Sequence, residues 1–135
     1  EISVLHNITQ SYNYEEYKKM VIKYAEEYTT SGEQLKERIA ATLINAQRMK
    51  RIDKQCIINY NLHTLTGQIN KKQKWLLISE TWCGDSAQCV PVIAKIAELN
   101  EKIKNLDNLS IFSATKRHNG IKINKSYCLW LLCQR

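Results

Sequence analysis

The stretch Ser79-Glu80-Thr81-Trp82-Cys83-Gly84-Asp85-Ser86-Ala87-Gln88-Cys89 (SETWCGDSAQC) decides how this chain is read. It separates two segments of different period. Before it, Lys74 to Ser79 (KWLLIS) is a short apolar run whose length suits a strand buried on both faces. After it, Val92, Ile96, Leu99 and Ile103 recur at helical spacing, and Cys89, Ile93 and Ile96 add a second stripe. A strand that ends near Glu80 and a helix that begins at Cys83 or Gly84 put the Cys83 sulfur at a helix N-terminus. Unpaired N–H groups and the positive end of the helix dipole favour a thiolate there. Gly84 permits close approach of another group. Trp82 offers a flat apolar surface beside the sulfur.

Working outward, Asn105 to Asn108 reads as a turn and Leu109-Ser110-Ile111-Phe112 as a second buried strand. Strand, turn, helix and strand in this order make a βαβ unit with a parallel strand pair, so the fold class is α/β. Upstream, Tyr14, Tyr17, Val21, Tyr24 and Tyr28 form a helical stripe expected to face the core, with Asn13 as N-cap and an end before Ser31-Gly32. A second helix is expected from Glu33 to about Lys54. Leu35, Ile39, Leu43, Ala46 and Met49 would point inward, and Lys36, Arg38, Gln47 and Lys50 outward. Residues 55–69 are open to two readings, a continuing helix or a short strand at Cys56–Tyr60. Beyond residue 112 the pattern weakens: Ile121-Lys122-Ile123 is a candidate strand, and no final helix is expected.

The chain has 135 residues, of which 44% are hydrophobic, enough for a packed core. It contains no run of 18 apolar residues, so no membrane span is expected. The net charge is +7, with basic clusters at Arg48-Met49-Lys50-Arg51 and Lys71-Lys72-Gln73-Lys74. Acids interleave with these on the same helices, so solvated faces are expected, and no nucleic-acid partner. The five cysteines, at 56, 83, 89, 128 and 133, have no zinc-ligand spacing. Their odd number and wide spacing argue against a secreted disulfide scaffold. His6, His63 and His118 are scattered, and neither a metal nor a cofactor is expected. A cytoplasmic chain is expected, with a removed signal peptide left open by the start at Glu1.

Trp82-Cys83-Gly84, placed after a short apolar strand and leading a helix, resembles the active-site segment of the thioredoxin superfamily. Pro91, eight residues after the cysteine, matches the proline that bends the active-site helix there. Residues 74–112 carry the firm resemblance. A looser one begins near residue 14, because Arg48-Met49-Lys50-Arg51-Ile52-Asp53-Lys54 resembles the helical leader of a bacterial subgroup in which Cys-Gly-Asp replaces Cys-Gly-Pro. The resemblance implies a thioredoxin-like fold, with residues 1–70 as a helical N-terminal extension and 71–135 as the core. That core would be truncated or divergent after about residue 112, through a native, shortened or frame-altered C-terminus. The resemblance also implies thiol–disulfide exchange in cell redox homeostasis. Cys83 would be the nucleophile, with Trp82, Gly84, Asp85 and Ser86 in support and Pro91 as the helix kink. Disulfide-containing proteins or low-molecular-weight thiols would be its partners.

Three departures from that family's pattern stand out. Ser86 replaces the resolving cysteine, so the motif holds one thiol and an external thiol such as glutathione would complete the cycle. Leu77 stands where a buried carboxylate is usual; Glu80 lies nearer the cysteine and is expected to be solvated. Pro91 is the chain's one proline, which leaves none for the cis-proline loop opposite the site. Cys89 is expected to be a small buried apolar residue. It lies about 9 Å along a helix from Cys83, beyond the roughly 7 Å span of a disulfide. Two further readings follow: a binding module whose Cys83 forms mixed disulfides, and, with less in its favour, a monothiol iron–sulfur carrier.

Overall fold

The computed structural model describes residues 11–104, 109–113 and 129–134; after Ile103, only Ile111 has a described side chain. The expected turn at Asn105–Asn108 and strand at Ile121–Ile123 lie outside the described residues. Helices α1 (Tyr14–Glu26), α2 (Lys36–Gln55) and α3 (Tyr60–Gly67) precede strand β1 (Lys74–Ser79). Helices α4 (Gly84–Ala97) and α5 (Glu101–Lys104) and strands β2 (Leu109–Ser113) and β3 (Leu129–Gln134) follow. The segment 55–69 is thus resolved as a separate short helix, capped by Asn59, whose side chain accepts from the Leu62 N–H at 3.0 Å.

The sheet has the order β2-β1-β3. β1 pairs in parallel with β2, Leu77 opposite Ile111, and antiparallel with β3, Leu77 opposite Leu131. The expected βαβ unit is present, built from β1, α4 and β2. β3 falls in the apolar run near the C-terminus to which the pattern assigned no element. Main-chain hydrogen bonds between Tyr12 and Ile111, at 2.9 and 2.8 Å, extend the sheet on the far side of β2. As the middle strand, β1 is buried along Leu76, Leu77, Ile78 and Ser79, which explains its unbroken apolar run.

α1 starts where the sequence says it should. Asn13 Oδ1 accepts from the Glu16 N–H, and the Glu16 carboxylate accepts from the Asn13 N–H, each at 2.9 Å. This reciprocal capping box satisfies two donors at once. The buried stripe is Tyr17, Val21 and Ala25; Tyr28 is 72% exposed rather than core. The helix has already ended at Glu26, and Tyr28 adopts a left-handed φ of 52° that turns it off the helical face.

Two other faces are rotated from their expected positions. On α2 the buried residues are Thr42, Asn45, Ala46 and Met49, whereas Leu35 is 47% exposed and Ile39 and Leu43 are half-buried. On α4 the buried line is Ser86, Ala87, Val90, Pro91, Ala94 and Ala97, with Val92 and Ile96 on its flanks. Cys89, expected to be buried, is exposed. Small residues let α4 lie close against its neighbours, and the larger aliphatics then fill the edges. Tyr17, Val21, Ala46, Met49, Leu77, Val90, Ala94, Ile103 and Ile111 belong to one core cluster. The first two helices therefore share their apolar core with the sheet. Burial of a side chain such as Leu77 or Val90 is worth about 1.5–3 kcal/mol. Pro91 sits inside α4 without ending it, although it offers no N–H to the preceding turn. Among the described residues, no helix is long and apolar enough to cross a membrane.

Candidate active site

The turn from β1 to α4 is built from polar side chains that have left the solvent. Ser79, Glu80, Thr81, Cys83 and Ser86 are all buried, and Thr30, Ser31, Thr42 and Asn45 pack on them from outside the turn. Such groups are stable inside a protein when their hydrogen bonds are made, and here many are. The Ser31 hydroxyl donates to Glu80 Oε2. The Thr81 N–H donates to Ser31 Oγ at 3.1 Å, and the Ser31 N–H returns to Thr81 Oγ1 at 3.0 Å. Thr42 Oγ1 lies 2.7 Å from Thr30 Oγ1 and donates to the Arg38 carbonyl at 2.9 Å. Asn45 Nδ2 donates to the Thr81 carbonyl at 2.9 Å. From α1, the Tyr17 hydroxyl meets Ser79 Oγ at 2.6 Å.

Within this frame Cys83 is the N-cap of α4. Its N–H donates to the Glu80 carbonyl at 3.0 Å, closing a four-residue turn, and its own carbonyl accepts from the Ala87 N–H at 3.2 Å. Its sulfur accepts from the Ser86 N–H at 3.4 Å. The helix N-terminus thus supplies a donor aimed at sulfur, the arrangement that stabilises negative charge there. The described contact from Ser86 to the sulfur is main-chain. Asp85 is exposed in the first turn of α4. Cys83 is 1% exposed, and its sulfur is held in a disulfide, while Cys56 and Cys89 are free. The side chains of the chain's other two cysteines, Cys128 and Cys133, lie outside the described residues.

Two guanidinium groups flank the turn. The Arg38 carbon Cζ lies 4.5 Å from the centroid of the Trp82 ring, a cation–π contact. Arg48 Nη1 donates to Asn45 Oδ1 at 3.1 Å and lies 3.2 Å from where a Cβ on Gly84 would stand. The group that approaches Gly84 is therefore Arg48. Neither arginine is on the solvated face assigned from charge pattern alone. Trp82 Nε1 is buried without a hydrogen-bond acceptor among the described residues.

Glu80 departs most from expectation. It was expected in solvent and is 2% exposed. The buried Ser79–Glu80 segment also marks Tyr17, whose hydroxyl is held protonated well above its ordinary range. Burial is the main cause; the Ser79 hydrogen bond opposes it and the Glu80 charge adds to it.

A family model described as thioredoxin matches residues 32–110. The chain belongs to the thioredoxin family. The match spans more than half the chain and includes α2, β1, the Trp-Cys-Gly turn and α4. The mixed α/β architecture is consistent with a thioredoxin-like fold. No curated protein and no solved structure matches the chain.

Trp82, Cys83, Gly84, Asp85 and Ser86 are brought together at the end of β1, and Pro91 lies two turns on in α4. Pattern reading missed Ser31, Thr42, Asn45, Arg38 and Arg48. A usable signal existed for two of them. Thr42 and Asn45, three residues apart, share a helical face with Ala46 and Met49, and polar groups on a buried face need partners.

Proposed function

We propose that this thioredoxin-family chain carries out thiol–disulfide exchange with Cys83 as its nucleophile. The observation that carries the reading is the Ser86 N–H directed at the Cys83 sulfur from the start of α4, 3.4 Å away. In the reduced protein the Cys83 thiolate attacks a substrate disulfide, forming a mixed disulfide and expelling one substrate thiolate. Ser86 has no thiol to resolve that adduct, and Cys89 is on the exposed side of the helix. Release therefore comes from outside the motif, from a thiol such as glutathione or from another cysteine of the chain. The disulfide at Cys83 belongs to the oxidised form, which a reductant must open before exchange begins. Disulfide-containing proteins and low-molecular-weight disulfides are the substrate classes, and the cytoplasm is the compartment that fits glutathione-driven turnover.

A second reading, a binding module that holds partners in lasting mixed disulfides, draws support from the depth of Cys83, only 1% exposed. Leu77, fully buried and aliphatic, adds to it. Glutathione-driven reduction of insulin separates the two. Multiple turnovers by wild type, abolished in Cys83→Ser, support the enzyme. A one-to-one adduct that accumulates without turnover supports the module, and no adduct at all contradicts both.

A further inference from the structure

The disulfide at Cys83 needs a partner that the Trp-Cys-Gly motif does not supply. Ser86 holds no sulfur, and Cys56 and Cys89 are free. Cys128 and Cys133 are the two cysteines left. Cys133 lies within β3, near its end, and Cys128 immediately precedes its first residue, Leu129. Strand register tells the two apart.

β3 runs antiparallel to β1, with Cys133 opposite Trp75 and Leu129 opposite Ser79. Trp75 stands near the start of β1, away from the turn into α4. From Trp75 to Glu80 is about 16 Å along an extended strand. Cys83 closes a turn onto Glu80, its N–H donating to that carbonyl at 3.0 Å. The Cα atoms of Glu80 and Cys83 are therefore within about 7 Å. Even with that turn folded straight back along β1, Cys83 stays about 9 Å from the level of Cys133. A disulfide spans at most about 7 Å between Cα atoms. Leu129 is on the correct side, about 5 Å across from Ser79 at the end of β1, and Cys128 is one peptide, about 3.8 Å, from Leu129. The same register carried one residue further would set Cys128 opposite Glu80, the residue that opens the Cys83 turn.

We propose that Cys128 is the resolving cysteine of this site, bonded to Cys83 in the oxidised protein and supplied by the strand beside β1 in place of the thiol that Ser86 lacks. The inference deepens the exchange reading and rests on it for its use. The Cys83 thiolate attacks a substrate disulfide; a new S–S bond forms and one substrate thiolate departs with the electron pair. The Cys128 thiolate then attacks the Cys83 sulfur. That forms the internal disulfide and expels the second substrate thiolate. The two protons lost by the protein thiols end on the two substrate thiols. The protein dithiol is oxidised and the substrate disulfide is reduced. Two equivalents of a low-molecular-weight thiol reopen the internal bond and leave as their own disulfide. A thiol on the chain acts at the effective concentration of an intramolecular group, whereas an external thiol must reach a sulfur whose residue is 1% exposed in the oxidised form.

Chymotryptic mapping of the oxidised, full-length protein reads the pairing, because cleavage after Trp130 parts Cys128 from Cys133. A linked Cys83–Cys128 peptide is expected. A Cys83–Cys133 link, a link between two chains, or an unlinked Cys83 overturns the proposal. The resolving role is read in reduced protein carrying Cys56→Ser, Cys89→Ser and Cys133→Ser, mixed with one equivalent of dithiobis(nitrobenzoate). Both halves of this probe should appear as coloured thiolate, and the intact mass should show no adduct. Adding Cys128→Ser should halve the colour and leave half the probe on Cys83. If the triple variant fails to fold, the same probe on wild type decides, through the label found at Cys83 by peptide mapping. An adduct that stays on Cys83 while Cys128 is present overturns the resolving role alone. No thiolate release, from a protein whose Cys83–Cys128 link has been mapped, overturns the exchange reading and the resolving role together.

Discussion

Removing Asn45 tests how the active-site turn is held. Asn45 is 1% exposed on α2, and its amide donates to the Thr81 carbonyl at 2.9 Å while its oxygen accepts from Arg48 at 3.1 Å. Asn45→Ala takes the donor from a carbonyl in a buried turn, which costs about 1–3 kcal/mol. The Arg48 guanidinium is only half-buried and can turn to water, so its loss adds little. The expected destabilisation is about 2 kcal/mol. Urea unfolding of the reduced protein measures it, with Leu35→Ala as the comparison. Leu35 is apolar but 47% exposed and makes no side-chain cap bond, so its loss should cost less than about 0.5 kcal/mol. Hydrophobicity alone orders the two variants the other way. An Asn45→Ala protein as stable as wild type, or less damaged than Leu35→Ala, would refute the reasoning that α2 is anchored through this polar face.

Further predictions concern packing, alkali and redox state. Ala94→Leu enlarges a side chain on the small-residue line of α4, 3% exposed, and should cost about 1–3 kcal/mol in urea unfolding. Tyr17 has its folded-state pKa raised from 10.0, so its stabilising contribution is complete below pH 10 and is lost as pH climbs toward the folded value. Above pH 10, stability should fall by up to about 1.4 kcal/mol per pH unit from this one group, and Tyr17→Phe should flatten that slope in alkaline unfolding experiments. Alkylation of non-reduced protein followed by peptide mapping should label Cys56 and Cys89 and spare Cys83, which becomes labelled only after reduction.

Local signals in the sequence were strong wherever one chemical group settled the matter. Asn13 and Glu16 specify the start of α1 by themselves, and the unbroken KWLLIS run betrays a central strand. Cys83 at the strand-to-helix junction was legible for the same reason. Helix faces were harder. The apolar spacing of Leu35, Ile39 and Leu43 points one way, but α2 turns Thr42 and Asn45 inward because the turn after β1 needs hydrogen-bond partners. On α4, Ala87, Ala94 and Ala97 carry too little hydrophobic signal to outvote Val92 and Ile96, yet close packing selects them. Glu80 reads as a surface acid from its type alone. Its burial depends on Ser31, forty-nine positions earlier, and no local pattern carries that contact.

The central claim is that the start of α4 makes Cys83 an activated thiol. The direct measurement is the ultraviolet thiolate titration of fully reduced wild type, with reduced Cys83→Ser subtracted so that only this sulfur is read. The account predicts a first ionisation below the ordinary cysteine value of about 8.5. A difference titration with its first midpoint at or above that value would contradict it.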